Sequence, residues 1–442
     1  MQATLPADQR GGALALLVSR RFGPLFATQF LSAFNDNALK NALVLMIAYR
    51  PEIDGELSAG VLIPLAGGLF ILPFFLCSAT AGALADTTDK AWLIRLIKLT
   101  EIGVMLVAAA AVISGHAGWL LALLLVMGIE AAFFGPLKYA ILPDLLAPGE
   151  LLLGNALVEA GTFLAILLGT IAGMLIAGSH GAATVAGLIV AVAVAAWGIS
   201  RYVGSAPPAA APGRPEWNLA IATARLIGQA ARQPVTYRSM LGISWFWLVG
   251  AIYLSQFPSY VRFVLGGEEA VVTLLLTIFS IGIAVGSLAC NRVLGGRISA
   301  RTVPWGALGM GLCSIDLWFG SPAPAEVLGA DGLATVGAFL AMPRNWRLLA
   351  DLFGIAVAGG IYIVPLYALL QVASEERVRA RTIAANNVIN AAAMVLAAVA
   401  TIALVAAGVS VPGLFLLTGI ATLVVAAVFW RLRAALVPNP PR

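Results

Sequence analysis

"LSAFNDNALKNALVL", residues 31–45, sets five polar or charged side chains into seven positions of an otherwise apolar run: Asn35, Asp36, Asn37, Lys40 and Asn41. A charge at the centre of a bilayer costs about 2.5–3.5 kcal/mol. On a helix Gln29, Ala33, Asp36 and Lys40 fall along one stripe, and Asn37 and Asn41 along the next. Asp36 and Lys40 can therefore pair at i,i+4, which lowers the cost of both. One reading stops at that pair. The other assigns the stretch a function, because the amides exceed what one pair needs and other spans carry matching groups.

The surrounding chain explains why cost is the right question. Of 442 residues 61% are apolar and only 11% charged, and the mean hydropathy is +0.96. A soluble domain carries about 25% charged residues. A chain with so few cannot cover a water-facing surface, so lipid must cover it, and the fold class is an all-α, polytopic membrane protein. The formal net charge of +5 reads as a topology signal and not as a nucleic-acid surface. Cys77, Cys290 and Cys313 fall singly in apolar runs, and neither they nor His116 and His180 have metal-ligand or disulfide spacing, so no cofactor is expected.

A spanning helix needs about 20 mostly apolar residues. Qualifying runs lie near 22–49, 58–84, 91–113, 118–142, 151–178 and 181–203, then near 238–262, 270–291, 302–321, 347–371, 381–408 and 411–434. That predicts 12 transmembrane helices in two six-helix halves. The domains follow as an N-terminal segment 1–21, a first bundle 22–203, a linker with an interfacial helix 204–237, a second bundle 238–434 and a tail 435–442. "RGGALALLVSRR" (10–21) has too short an apolar core for a signal peptide and reads as an amphipathic lead-in. Twenty of the 26 Lys and Arg, Lys98 among them, fall on one side of this arrangement. The positive-inside rule then predicts that both termini are cytoplasmic.

The halves resemble one another. "PLKYAIL…GNALVEAG" (136–161) recurs as "PLYALL…ANNVINAA" (365–392). Repeats of the same orientation indicate the architecture of major facilitator transporters. The loop "GALADTTDK" (82–90) resembles the cytoplasmic signature of that family, which implies gate roles for Asp86 and Lys90; the counterpart after span eight has Cys290 where Asp is expected. Span four carries Glu130 and Lys138 around Gly135-Pro136, a pair predicted to bend or break the helix. Span five carries Asn155, Glu159 and Thr162, and span eleven Asn386, Asn387 and Asn390. Lys138 and Glu159 can also be read as a plain salt bridge, and Arg262 as an interfacial anchor. Glu101, Asp316 and Asp351 read as span-end or structural groups.

"TQFLSAFNDNALKNALV" (28–44) with "FGPLKYAILPDLLAPGELLLGNALVEAGTFLAILLGTIAGM" (134–174) closely resembles the bacterial lysophospholipid transporters. "ERVRARTIAANNVINAAAMV" (376–395) is most similar to members fused to an acyltransferase and an acyl-carrier-protein synthetase. The chain runs out after span twelve with "RLRAALVPNPPR", and so is read as a stand-alone transporter or the transporter part of a fused protein. The resemblance implies a flippase-like transporter of the bacterial inner membrane. It would move lysophospholipids such as lysophosphatidylethanolamine from the outer to the inner leaflet, for re-acylation by an acyltransferase partner.

A zwitterionic headgroup needs an anion and cations inside a low-dielectric cavity. Asp36 is assigned to its ammonium, or to orienting Lys40; Lys138, with Lys40 or Arg262, to its phosphate. Asn35, Asn37, Asn155, Asn386 and Asn390 supply hydrogen bonds, Glu159 balances Lys138, and these groups are expected to converge between the halves. Two rivals stand beside this reading. A proton-coupled exporter of drugs or small metabolites would use Asp36 or Glu159 as proton carrier, and its transport would collapse with the proton gradient. A non-transporting scaffold for an acyltransferase would tolerate substitution of its buried charges. No nucleophile–base pair or phosphate-cradling loop supports an enzyme.

Overall fold

The computed structural model describes residues 12–49, 59–114, 117–179, 181–210, 219–322 and 333–433. Residues 1–11 of the N-terminal segment, 211–218 of the linker and the tail 435–442 lie outside the described residues, as do His116 and His180. Twelve long helices follow the predicted spans: α1 Gly23–Tyr49, α2 Ala59–Thr87, α3 Lys90–Ser114, α4 Ala117–Ala140, α5 Leu151–Ser179 and α6 Gly181–Ser200, then α7 Pro234–Tyr260, α8 Glu269–Leu294, α9 Val303–Gly320, α10 Pro343–Ala373, α11 Arg379–Ala406 and α12 Val411–Leu432.

Bilayer-length helices form because a backbone in hydrocarbon must satisfy its own hydrogen bonds. Ten of the twelve are long and apolar enough to cross a membrane; the others are α1, which carries the polar run, and the eighteen-residue α9. Their outward faces expose Leu106, Ile113, Val399 and Ile402, as a lipid-covered surface requires. Local chemistry sets the ends. The Ser410 hydroxyl accepts from Gly413 N at 3.2 Å with Pro412 in the first turn of α12, and Gly295 closes α8 at φ +58°. The chain is a multi-pass membrane protein.

Two packing units emerge. The first holds residues up to Pro234 together with Gln371–Ala391; the second holds Val235–Leu370 and Ala392 onward. The end of α10 and the start of α11 therefore pack with the first six helices, a grouping that the sequence division at 238 does not contain.

In the first unit α1 lies against α5 and α6, α2 against α4, and α3 against α6. A core of Leu39, Met105, Val112, Leu124, Met127 and Ile189 joins α1, α3, α4 and α6. The contact of α1 with α5 depends on two glycines. A Cβ at Gly169 would stand 2.3 Å from the Phe34 carbonyl oxygen, and one at Gly173 2.2 Å from that of Ala38. Such backbone-to-backbone approach is how small residues fasten helices in lipid, where burial of apolar surface supplies no net drive. Gly173→Ala is expected to force α1 and α5 apart and cost about 1–3 kcal/mol. A lower thermal midpoint of the detergent-purified protein would register this; an unchanged midpoint would refute it.

The linker's described part forms a strap on the α2–α3 turn. Lys90 N donates to Ala206 O and Ala210 N to Asp86 O, both at 3.0 Å, and Arg95 Nη2 donates to Val203 O at 2.8 Å. The Asp89 carboxylate caps α3 through Trp92 N (2.8 Å) and accepts from Ser205 Oγ at 2.6 Å and Ala206 N at 3.1 Å. Partial burial works to raise the Asp89 carboxyl, but the hydrogen bonds from Ser205 and from the Trp92, Ala206 and Ala91 amides outweigh it and hold the group below the usual carboxylate range. A depressed carboxyl gives stability that is present above the unfolded value of about 3.9 and lost as pH falls through the folded one. The strap is therefore expected to loosen only in acid, and Asp89→Asn to loosen it at neutral pH. Proteolysis within 203–210 measures both, and equal cleavage of variant and wild type would contradict the assignment. Beyond the strap, Leu219–Ala231 of the linker is helical and packs on α2.

In the second unit the interior is aromatic. Tyr253 stacks on Phe415 with centroids 4.6 Å apart, Phe279 and Tyr260 join them, and the Tyr253 hydroxyl donates to Ser314 Oγ at 2.8 Å. Of the groups predicted for a site, this unit contributes Arg262, exposed on a single π-helical turn, Val261–Leu265, after α7.

Of the bend or break expected at Gly135-Pro136, the break does not occur, the helix running through Pro136 to Ala140. A second expectation is corrected. Lys98, grouped by the sequence with the cytoplasmic cations, is wholly buried. It lies eight residues into α3, about 12 Å at 1.5 Å per residue, and turns inward to carboxylates.

Candidate functional site

The first unit encloses an unusual density of charge. The Lys98 ammonium on α3 donates to Ser32 Oγ at 2.6 Å, to Glu101 Oε2 at 2.7 Å and to Glu130 Oε1 at 2.6 Å. It also stands 4.2 Å from the centroid of the Phe134 ring. All three of its N–H donors are thereby used. Asn35 on α1 extends the network, its amide nitrogen donating to Glu101 Oε1 at 3.2 Å and to Ile189 O at 3.1 Å. Glu101, read from the sequence as a span-end or structural group, is at the heart of this cluster. Lys98 and Glu101 are i,i+3 neighbours inside an apolar run, a signal the sequence does contain.

Asp36 is one residue along from Asn35, half-buried, and has no ion pair among the described residues. Glu101, Lys98, Lys40, Lys138 and Glu130 are charged groups close enough to interact with it. The predicted Asp36–Lys40 pair is not formed; Lys40 Nζ donates to Asn37 Oδ1 at 3.1 Å and faces the Phe70 ring. Asn37 Nδ2 returns to Ala33 O at 2.8 Å, and Asn41 bridges Asn37 O (2.8 Å) and Thr170 Oγ1 on α5 (3.0 Å). Gln29, on the same stripe, accepts from Thr162 Oγ1 at 3.1 Å and leaves its Nε2 buried without a partner.

The Lys138–Glu159 salt bridge is likewise absent. Glu159 accepts a hydrogen bond from the Tyr139 hydroxyl, which reaches it first from α4, and its second oxygen is buried without a partner. Lys138 lies against the Tyr139 ring and feels Glu159 and Asp36 only at longer range. Asn155 is committed elsewhere. Its amide nitrogen donates to Gln371 Oε1 at 2.7 Å and to Leu151 O, while Gln371 Nε2 donates back to Asn155 Oδ1 at 3.0 Å and to Tyr139 O at 3.1 Å. Through these hydrogen bonds Asn155 joins α5 to the end of α10. Asn386 is the converse: fully buried on α11, with neither amide atom hydrogen-bonded. Asn390, one turn on, is also buried.

The second cluster is at the α2–α3 turn. Asp86, fully buried, accepts from Ala380 N at 2.8 Å and from Arg381 N and Nε at 3.2 and 2.9 Å. Those amides are the unsatisfied donors of the first turn of α11, where a negative charge is favoured by the helix dipole. Gly82 permits the approach, since a Cβ there would stand 2.8 Å from Arg381 Cα. Beside it Asp144 takes Lys90 Nζ at 2.9 Å and Arg379 Nη1 at 3.4 Å. Asp144 and Gln371 were not singled out by the sequence.

Twelve bilayer-length helices in two halves, with charges buried inside the first unit and a cluster of acid and base at one helix turn, define a polytopic membrane transporter and not an enzyme. The chain belongs to the Major Facilitator Superfamily, whose model matches residues 25–343. Among curated relatives, the lysophospholipid transporter LplT of Serratia proteamaculans (strain 568) is 29% identical over 401 residues, 90% of each chain. LplT of Escherichia coli O6:K15:H31 (strain 536 / UPEC) is 30% identical over 390 residues, 86% of this chain and 87% of the relative. Solved structures share the fold at low identity. FucP in its outward conformation superposes with a TM-score of 0.68 at 13% identity, covering 92% of this chain and 98% of FucP. A bacterial homologue of the iron transporter ferroportin, outward-facing, gives 0.65 at 12%, covering 93% and 99%.

Proposed function

We propose that this protein moves lysophospholipids, such as lysophosphatidylethanolamine, from the outer to the inner leaflet of a bacterial inner membrane by alternating access, supplying them for re-acylation by an acyltransferase partner. The observation that carries the reading is the match to lysophospholipid transporters along about nine-tenths of both chains. The residue chemistry supports it independently. A lysolipid headgroup brings an ammonium and a phosphate. Asp36 without an ion pair, and Lys40 and Lys138 without carboxylate partners, are complementary charges left half-buried in the first unit.

In this scheme Asp36 receives the ammonium, and Lys138 with Lys40 receives the phosphate, with Arg262 of the second unit as a further cation. Asn35, Asn37, Asn386 and Asn390 are assigned to the polar edge of the site, and Glu159 to the field at Lys138. Asp86 and Lys90 act as a gate on the cytoplasmic side, where both termini are placed.

Leaflet-resolved uptake of labelled lysolipid into proteoliposomes tests the scheme. Asp36→Ala and Lys138→Ala are each expected to lower uptake at least tenfold, as loss of one charged hydrogen bond of about 1.5–3 kcal/mol implies. If both variants fold and transport like wild type, the site assignment fails. If uptake collapses with the proton gradient and shows no leaflet preference, the exporter reading takes its place.

A further inference from the structure

We propose that the Lys98 cluster is a binding site for one monovalent cation, a proton or a sodium ion, held on the Glu101–Glu130 carboxylate pair. The cluster is unbalanced in charge. Lys98 and Glu101 are wholly buried and Glu130 is 8% exposed, so one ammonium faces two carboxylates away from water. Widening the circle does not remove the excess. Asp36 and Lys40 add one charge of each sign, and so do Glu159 and Lys138, leaving four carboxylates against three ammonium groups. An uncompensated buried charge costs several kcal/mol. A single positive charge cancels the excess, whereas a divalent ion would reverse it.

The hydrogen bonds point to the same place. Lys98 has no donor left for the second oxygen of Glu130, and Glu130 Oε2 is buried without a partner. Asn35 spends both amide hydrogens on Glu101 and on Ile189 O, which fixes its orientation and leaves Oδ1 a second buried, unpartnered oxygen on the same network. Asn35 is wholly buried and carries no charge, so this oxygen is an observation separate from the acidic pair. Two orphaned oxygens on one buried network that carries an excess negative charge are what a proton or a hard monovalent ion satisfies. The pair is met by Lys98 from α3 and by Asn35 from α1, with the Asp36 charge near, while Ser32 and the Phe134 ring hold the Lys98 ammonium.

The test uses the intact protein in lipid nanodiscs at neutral pH. Infrared spectroscopy in sodium-free buffer is expected to show the carbonyl stretch of one protonated carboxyl group that disappears in both Glu130→Gln and Glu101→Gln, since either change removes the excess. If sodium is the occupant, the band is absent from wild type in sodium buffer, and equilibrium binding of radioactive sodium gives about one ion per protein, lost in both variants. A wild-type protein with neither the band nor the ion overturns the proposal, as does a signal that both variants retain. Both readings are made without lysolipid, so they stand apart from the transport assay.

Discussion

Lys98→Met is expected to be the most damaging single substitution in the interior of the first unit, costing about 3–5 kcal/mol of stability. The side chains are similar in length, so little volume is lost. What is lost is an ammonium whose three donors go to Ser32, Glu101 and Glu130. Two carboxylates then remain buried without their cation, and Phe134 loses the charge over its ring. The measurement is the fraction of detergent-extracted protein that stays monodisperse on mild heating. Lys98→Met combined with Glu130→Gln should recover part of the loss, because groups sharing one network are not additive. A single variant as heat-stable as wild type would mean that the cluster contributes nothing to the fold.

Asp86→Ala is expected to lower transport by about tenfold to a hundredfold while leaving the protein folded. Three hydrogen bonds converge on this carboxylate, two from first-turn amides of α11 and one from the Arg381 guanidinium. Bonds to charged groups are worth about 1.5–3 kcal/mol, and each 1.4 kcal/mol shifts an equilibrium tenfold. Losing that much biases the protein against whichever state carries the latch, and alternating access slows when either state is depleted. Asp86→Asn, which keeps an acceptor but not the charge, should fall between. An Ala384→Cys reporter, at a position buried against Gly82, should label faster with a thiol reagent when Asp86 is absent. Unchanged labelling together with unchanged uptake would remove Asp86 from the gate.

Which parts of this were visible in the one-dimensional chain follows from range. Span number, span limits and membrane class depend on apolar length, which is local, and all twelve helices appear where the runs are. The loop that carries Asp86 stood out because its pattern is short and contiguous, and it falls at the α2–α3 turn. The partners of the polar groups were not. Asp36 and Lys40 have pairing geometry along one helix, yet Asn37 is nearer to hand for the ammonium. Tyr139, and not Lys138, reaches Glu159, although the two are adjacent in sequence. Asn155 pairs with the amide of Gln371, 216 residues away.

Lys98 shows the division most sharply. By sequence it is one more cation close to a helix start, where long side chains ordinarily reach back to water. The sequence by itself determined that this is a twelve-helix membrane protein, because a chain with so few charged residues can be covered only by hydrocarbon. Only the tertiary structure decided which carboxylates meet which cations, because that depends on the faces that four helices turn toward one another. Helical period alone places a side chain on a face but says nothing of what stands opposite.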